Sequence, residues 1–256
     1  MILAVDVGNS NVVLGCIDNG IISDVMRLET NRKKTAHEYA VTIWQILSIS
    51  GRKKSDFNGA IISSVVPQLT GTLRAAVRII TGCEALIVGA GIKTGLNIGI
   101  DDPSQLGADI VSVSVAALSL YKPPLILIDM GTAITITVIS ANARMLGGAI
   151  LPGPSIATEA LIGRASLLPR IPIGPPKKVI GTNTIDSMQS GTVFGSAASI
   201  DGMLDRIEKE LGSPATVIAT GGMAMKIIPH CYRDIAYDEN LLLRGLWLIW
   251  QKNLKT

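Results

Sequence analysis

The amino-acid sequence predicts an α/β protein of two similar halves, each with a mixed β-sheet flanked by helices. The main observation is a repeat, in which residues 3–15 read LAVDVGNSNVVLG and residues 126–138 read ILIDMGTAITITV. Each copy holds an apolar run, an Asp, a Gly, small residues and a second apolar run, which is the pattern of a β-hairpin. A third apolar run follows each copy, so each half is predicted to begin with a three-stranded antiparallel meander.

Helices and one further strand complete each half. Apolar runs at 59–66 and 215–222 predict a later buried strand in the first and the second half. Helical periodicity covers five segments: residues 35–49, 68–81, 103–120, 185–211 and 239–252. The shared order of meander, helix and strand predicts two domains, 1–120 and 121–256, with a cleft between them.

Composition argues against several classes of protein. The chain has 256 residues, 48% hydrophobic and 17% charged, with a formal net charge of +3. Its Lys and Arg residues form no basic stripe with interleaved aromatics, which disfavours a nucleic-acid partner. Three cysteines without a C-x-x-C pair, no signal-peptide pattern and no long apolar run favour a cytoplasmic protein without a membrane span.

Both copies of the repeat are candidate phosphate loops. Gly8 and Gly131 would let the hairpin backbone approach a ligand through torsions that other residues avoid. The amides after each glycine would then face phosphate oxygens as an anion nest. A carboxylate beside such a nest repels phosphate unless a cation lies between them, so Asp6 and Asp129 are candidate metal-binding residues. The alternative is that D-x-G recurs by accident as a common turn pattern.

A third glycine segment follows the later strand of the second half. Gly221 and Gly222 come directly after Thr220, where bare backbone would let a flat adenine lie close. The corresponding segment of the first half has no glycine, which predicts a nucleotide pocket in the second half only. A tight strand-to-helix turn without a ligand is the alternative.

Asp109 is the candidate general base. It lies in a helical pattern whose predicted N-cap is Asp102 and whose predicted first helical residue is Pro103. No Lys or Arg lies one helical turn away from it. Such a carboxylate faces solvent, pairs with a distant Arg, or serves a ligand by accepting a proton from an attacking hydroxyl.

Taken together, these motifs resemble those of the type III pantothenate kinases, a family of the actin-like and sugar-kinase ATPase superfamily with ribonuclease H-like domains. VDVGNSN resembles the family's first phosphate loop, IDMGTA its second, and LGADI the segment with the catalytic base. GGAILPG, IGTNTIDSMQSG and ATGG follow in the family order. The resemblance implies transfer of the ATP γ-phosphate to the primary hydroxyl of pantothenate, the first committed step toward coenzyme A. It also implies Mg²⁺, a monovalent cation (K⁺ or NH₄⁺) and a homodimer.

The resemblance assigns roles to single residues. Asp109 would accept the proton, Asp129 would hold the monovalent cation, and Asp6 would belong to the ATP–magnesium site. Thr184 would reach pantothenate across a dimer interface, and the helical stretch Met188–Ile207 fits either that interface or an ordinary core helix. The ATP contacts would be Asp6, Val7, Gly8, Asn9, Ser10, Asn11, Val12, Val13, Gly131, Thr132, Gly221 and Gly222. The pantothenate contacts would be Ile100, Gly107, Ala108, Asp109, Ile110 and Thr184.

The chain departs from the family pattern at three of these motifs. Ile110 stands where the family has an Arg that can bind the substrate carboxylate, and an aliphatic side chain cannot form that two-pronged bond. Ile100 replaces a frequent aromatic, and Thr137 replaces the Asp at the end of the second loop. Two alternatives therefore stay open: a non-catalytic relative acting as a regulatory or binding protein, and a kinase of another small hydroxyl substrate.

Overall fold

The computed structural model describes residues 1–254, which form two compact units. Unit 1 comprises Met1–Leu96, Asp101–Ser119 and the segment from Asn240 onward, and unit 2 comprises Asn97–Ile100 and Leu120–Glu239. Each unit is a mixed β-sheet with helices, which confirms the predicted fold class.

The regular elements are numbered in chain order. The strands are β1 (Ile2–Val7), β2 (Asn11–Asp18), β3 (Ile21–Glu29), β4 (Gly59–Ser64), β5 (Ala85–Ile87), β6 (Asn97–Ile98), β7 (Leu125–Met130), β8 (Ala133–Ile139), β9 (Arg144–Pro152), β10 (Thr216–Thr220) and β11 (Ala236–Tyr237). The α-helices are α1 (Ala36–Ile49), α2 (Pro67–Thr81), α3 (Ala108–Leu120), α4 (Pro154–Arg164), α5 (Thr184–Leu211), α6 (Ala224–Ile227) and α7 (Leu241–Lys252).

The two sheets share one topology. In unit 1 the strand order is β3-β2-β1-β4-β5, and in unit 2 the strands β9-β8-β7-β10-β11 follow the same order, with β6 added beside β9. In both sheets the first strand pairs antiparallel with the second and parallel with a strand from later in the chain. The repeat seen in the sequence is therefore a repeat of strand topology.

The central strands β1 and β4 of unit 1 are buried on both faces, and their successive residues point to opposite sides. On one face, Leu3, Val5 and Val7 of β1 pack in a core with residues of α1 and α2. On the other face, Ile2 and Ala4 pack in a core with residues of α3 and α7. Near-continuous apolar strands are what a sheet covered on both sides requires.

Helix α7 belongs to unit 1. The domain boundary predicted from the sequence, at residue 120, places this helix in the second half. Its Leu243, Leu246 and Ile249 are buried in the core on the β1–β4 sheet. Gly245 lies directly against the Ser112 carbonyl of α3, so close that a Cβ at this position would overlap it. The helix belongs to unit 1 because its apolar face packs against strands and a helix of that unit.

In unit 2 a single long helix covers the central strands. Val193, Ala197, Ile200 and Leu204 of α5, spaced three and four residues apart, are buried in one core with Ile128 and other residues of β7 and β8. Helix α5 is thus a core helix along this stripe. No helix in residues 1–254 has both the length and the apolar character that crossing a membrane requires.

Two local predictions differ from the structure. The pattern over 103–120 is not one helix: Asp102 caps a 3-10 turn at Pro103–Gln105, Leu106 is extended, and α3 begins only at Ala108. The Ser104 amide donates a hydrogen bond of 3.0 Å to the Asp102 carboxylate. Asp102 is therefore an N-cap, as the sequence predicts, but the element that it caps is shorter than predicted. Helix α4, which begins at Pro154, was not predicted.

The close approach of α7 to α3 predicts a large effect for a small substitution. Gly245→Ala should lower the free energy of unfolding by roughly 1–3 kcal/mol or more, because the added methyl group overlaps the Ser112 backbone. Gly71→Ala, also inside a helix of unit 1 but with open space around it, should raise that free energy by about 0.5–1 kcal/mol. The measurement is denaturant unfolding followed by tryptophan fluorescence, since Trp44, Trp247 and Trp250 all lie in unit 1. Equal midpoints for the two variants would refute this account of the helix packing.

Candidate active site

The first predicted phosphate loop lies at the end of β1. Asp6 is the second-last residue of that strand and pairs in register with Val13 of β2 and Ser63 of β4. The hairpin is closed by the Gly8 amide, which donates to the Asn11 carbonyl at 3.0 Å. The Arg32 guanidinium donates to the side chain of Asn9 at 3.1 Å and so brings a positive charge to the loop.

Arg32 is a residue that sequence reasoning missed, since the run Arg32-Lys33-Lys34 reads as a solvated loop. The run does lie on a loop, but Arg32 also bonds to Asn9, a residue 23 positions earlier in the chain. No local signal in the sequence could have found it.

The second predicted phosphate loop occupies the matching place in unit 2. Asp129 is the second-last residue of β7, and it pairs in register with Thr135 of β8 and Thr220 of β10. The hairpin is closed by the Gly131 amide, which donates to the Ala133 carbonyl at 2.9 Å. The structure thus brings Asp129 and Gly131 together with the end of β10.

The glycine segment after β10 lies against the Asp129 carboxylate. Gly221 has a left-handed backbone, with φ of +96°, and a Cβ there would lie 2.6 Å from Asp129 Oδ1. Glycine is required at this position both by its torsion and by its space. Asp129, Gly131 and Gly221 are therefore one cluster within unit 2.

The prediction of unusual torsions at Gly8 and Gly131 is wrong. Neither glycine has φ in the left-handed range, unlike Gly221. At Gly131 an added Cβ would meet other atoms only at 3.9 Å or more, so what glycine provides here is open space beside the backbone. A ligand can use that space for close approach without any strained torsion.

Asp109 lies in the first turn of α3, in unit 1. The amide of Ile110 donates to its Oδ1 at 2.7 Å. Burial raises the pKa of the Asp109 carboxyl above its ordinary value, because a low-dielectric environment disfavours the charged form, and backbone hydrogen bonds offset only part of this effect. A carboxylate whose pKa is raised by burial is a better proton acceptor than an exposed one.

Gly107 connects Asp109 to the loop after β4. A Cβ at Gly107 would overlap the Asp109 carboxylate and would lie 3.5 Å from the Val65 side chain. The Val65 amide in turn donates to the Val7 carbonyl, at the end of β1, at 3.0 Å. Within unit 1, two residues, Gly107 and Val65, therefore separate the candidate base from the strand that carries the first predicted phosphate loop.

The remaining predicted substrate residues lie in different surroundings. Ala108 is buried and Ile110 half-buried on α3, whereas Ile100 is half-buried in unit 2, at the end of the short segment that contains β6. Thr137, which stands where the family's second phosphate loop usually has Asp, is buried on β8. An ionised Asp at such a buried position would cost free energy, which a neutral threonine avoids.

Thr184 begins α5 and lines a cavity of about 790 Å³ within unit 2. Asn183 caps the helix by accepting a hydrogen bond from the Asp186 amide at 2.9 Å. The wall is rich in hydroxyls, including Thr158 and Thr192, whose side-chain oxygens are 3.1 Å apart. A cavity of this volume is in the range of small-molecule sites. Sequence reasoning assigned only Thr184 to it, because the wall combines residues next to Thr184, such as Thr182 and Asn183, with residues of α4 and of later turns of α5.

Asp6 and Asp129 could each bind a metal ion only if substrate phosphates or water supplied the remaining ligands. In residues 1–254 no group of three or more His, Cys, Asp or Glu side chains is placed to bind a metal. Mg²⁺ in kinases is usually held by one or two carboxylates together with substrate phosphates and water, so a single carboxylate beside a phosphate loop is a sufficient protein contribution. Asp6 and Asp129 each meet this description.

Comparison with known proteins identifies the class of fold first. The structure is similar to a crystal structure of inorganic polyphosphate/ATP-glucomannokinase from an Arthrobacter species, with a TM-score of 0.51, 13% identity and coverage of 100% and 99% of the two chains. At this identity the similarity shows the fold alone, two mixed sheets flanked by helices, as the sequence predicts.

The family follows from the sequence. Residues 2–206 match the family model of type III pantothenate kinase. A type III pantothenate kinase from Halalkalibacterium halodurans is 44% identical over 99% of this chain and 100% of its own, and one from a Geobacillus species is 43% identical over 99% and 98%. The chain belongs to the type III pantothenate kinase family, and the resemblance drawn from its motifs is confirmed.

The raised pKa of Asp109 predicts a specific pH dependence. The base must be ionised to act, so kcat should fall as the pH drops through the Asp109 pKa, and this acid limb should lie above the ordinary value of about 3.9. Asp109→Asn should lower kcat by roughly 10²–10⁴-fold and leave ATP affinity nearly unchanged.

The same pKa shift has a consequence for stability. The folded state binds the Asp109 proton more tightly than the unfolded state does, so ionisation destabilises the fold as pH rises through this window. At neutral pH, Asp109→Asn should therefore not lower the thermal unfolding midpoint. Asp234→Asn, which removes an exposed carboxylate in unit 2, is the charge-matched control and should change neither activity nor midpoint. Near-normal turnover in Asp109→Asn would exclude Asp109 as the base.

Proposed function

We propose that this chain transfers the γ-phosphate of ATP to the primary hydroxyl of pantothenate, forming 4'-phosphopantothenate and ADP in coenzyme A biosynthesis. The observation that carries the proposal is whole-length similarity above 40% identity to proteins named type III pantothenate kinase. The departures at Ile110 and Ile100 concern substrate contacts and leave Asp109 in place. The departure at Thr137 lies at the end of the second phosphate loop and leaves Asp129 and Gly131 in place.

In the proposed reaction the pantothenate hydroxyl oxygen forms a bond to the γ-phosphorus while the bond to the β–γ bridging oxygen breaks, and ADP leaves. Asp109 accepts the hydroxyl proton. Phosphoryl transfer depends mainly on positioning and on neutralising charge over the transferring group. The amides of the two phosphate loops and the Arg32 guanidinium are suited to bind phosphate oxygens.

Two cations complete the proposed site. Asp6 would hold Mg²⁺, and Asp129 would hold the monovalent cation, K⁺ or NH₄⁺. When bound, these ions would neutralise phosphate charge. Gly221 leaves the room that the Asp129 carboxylate occupies, since a Cβ there would lie 2.6 Å from Oδ1, and this close fit supports a binding role for the carboxylate.

The cavity beside Thr184 is the proposed site for the pantothenate chain in a homodimer. Its hydroxyl groups can bond to the amides and hydroxyls of pantothenate. Eight exposed apolar side chains lie on β9, α4, α5 and the segment between the two helices, and one of them, Leu161, lines the cavity: Leu146, Ile150, Ile156, Leu161, Leu167, Val179, Ile180 and Ile185. We call them the apolar cluster. Exposed apolar side chains that are concentrated in one part of a chain are typical of protein–protein contacts, which supports a subunit interface there.

A phosphoryl-transfer assay with pantothenate, run with K⁺ and with choline as the replacement cation, tests reaction, substrate and cation together. ADP should form only with pantothenate, and K⁺ should raise kcat. Gly221→Ala should weaken the stimulation by K⁺ because the added methyl group displaces Asp129. Gly212→Ala is the matched control: it also has a left-handed backbone, with φ of +70°, but open space around it, so only stability should fall, by roughly 1 kcal/mol.

The rival functions give different results in this assay. A regulatory or binding protein would release no ADP with any acceptor. A kinase of another small hydroxyl compound would release ADP with that acceptor and not with pantothenate. Equal stimulation by K⁺ in Gly221→Ala and wild type would contradict the assignment of Asp129.

The homodimer is tested by charging its proposed interface. Ile180 is 82% exposed, and Ile180→Asp should convert a dimer into a monomer and raise the KM for pantothenate, because a desolvated charge opposes association. Ile49, 86% exposed at the end of α1 in unit 1, lies outside the cluster, so Ile49→Asp should stay dimeric. Sedimentation equilibrium measures both masses. A monomeric wild type, or a dimeric Ile180→Asp, would contradict the proposed interface.

A further inference from the structure

Two serine hydroxyls are buried without a hydrogen-bond partner among residues 1–254. They are the Oγ atoms of Ser63 on β4 and Ser114 on α3, and both residues are 0% exposed. A buried hydroxyl that forms no hydrogen bond costs free energy that an alanine would avoid. Since native proteins satisfy most such groups, each of the two needs an explanation.

Ser63, unlike Ser114, lies beside a proposed metal-binding residue. In the parallel pairing of β1 with β4, Ser63 is the register partner of Asp6, the proposed Mg²⁺ ligand. The side chains of register partners point to the same face of a sheet, and neighbouring strands are only about 4.8 Å apart. A serine and an aspartate placed this way are within reach of a direct hydrogen bond after a side-chain rotation.

The core contacts agree with this placement. Ala4 and Ile61, two residues before Asp6 and Ser63, pack in the core that β1 and β4 share with α3 and α7. Side chains alternate along a strand, so Asp6 and Ser63 lie on this same face. Asp109, in the first turn of α3, is on the helix that covers it. The hydroxyl of Ser63 is thus buried on the face of the sheet that carries Asp6 and that is covered by the helix of Asp109.

Unit 2 repeats the pairing. Thr220 of β10 is the register partner of Asp129 in the parallel pairing of β7 with β10, and it is buried. In both units, therefore, the acidic residue at the end of the first strand has a hydroxyl residue beside it on the parallel neighbour. The two pairs come from separate parts of the chain, so the second is an independent instance of the arrangement.

We propose that Ser63 is a positioning residue for Asp6: when Mg²⁺ and ATP are bound, its hydroxyl donates a hydrogen bond to the Asp6 carboxylate and holds that side chain in its metal-binding rotamer. The proposal rests on the ATP site described under the proposed function. Carboxylates that bind metals are themselves held by hydrogen bonds, and loss of such a partner typically weakens metal binding by 10–100-fold. The Ser63 hydroxyl, buried without a partner, would then gain one on nucleotide binding.

The test compares Ser63→Ala with Ser114→Ala, which removes an equally buried and unpartnered hydroxyl elsewhere in unit 1. Calorimetry with a non-hydrolysable ATP analogue, titrated at increasing Mg²⁺, gives the Mg²⁺ concentration for half-maximal nucleotide binding. Differential scanning calorimetry without ligand gives the unfolding midpoint. Both alanine variants should raise that midpoint by about 2–4 °C. Only Ser63→Ala should raise the Mg²⁺ requirement, by about 10–100-fold.

Ser63→Thr keeps the hydroxyl and copies the residue that stands beside Asp129, so it should restore a Mg²⁺ requirement near that of wild type. A Mg²⁺ requirement in Ser63→Ala equal to that of Ser114→Ala would overturn the positioning role alone. An equally weakened Ser63→Thr would also overturn it, because the hydroxyl would then not be the group that matters. A wild type that binds the analogue equally well without Mg²⁺ would overturn the Asp6 site itself, and with it this inference.

Discussion

The parallel pairing between the first strand of each sheet and a strand from later in the chain is the constraint on which both candidate sites depend. It sets Asp6 beside Ser63 in unit 1 and Asp129 beside Thr220 in unit 2. A shift of one residue in either pairing would turn the acidic side chain to the opposite face of its sheet. In unit 1 the apolar residues that precede Asp6 are divided between two cores, with Leu3 and Val5 in one and Ile2 and Ala4 in the other, and their packing in these cores holds the register.

The same arrangement explains why the sites can contain groups that reduce stability. Asp109 is buried enough for its pKa to be raised, and Ser63 carries a hydroxyl without a partner. Each of these groups opposes folding. The cores around them are extensive, and Gly245 lets α7 lie directly against α3, so the central strands and α3 are well packed around these groups. Stability from packing therefore offsets the cost of the two groups, to which the proposed function gives roles in binding and proton transfer.

Sequence reasoning succeeded where the signal was local and failed where it depended on distant contacts. The hairpins around Asp6 and Asp129 carry their own turn residues and alternating apolar strands, so their existence could be read directly. The position of α7 could not, because its apolar face fits a sheet of either half and only packing decides between them. The torsions of Gly8 and Gly131 were misjudged because glycine serves both unusual torsions and close approach, and sequence does not distinguish these uses. The hydroxyl-lined cavity was missed because its wall combines residues of α4 with residues far along α5.

The departure at Ile110 affects the base as well as the substrate. A guanidinium next to Asp109 would favour the charged carboxylate and lower its pKa, opposing the effect of burial. With isoleucine at this position, burial is the largest influence and the pKa is raised. A base with a higher pKa accepts a proton more readily, provided that it is still ionised at the working pH. The substitution therefore removes an influence that would lower the pKa of Asp109. Under the proposed function, it also leaves recognition of pantothenate to neutral hydrogen-bonding groups, of the kind that line the proposed site beside Thr184.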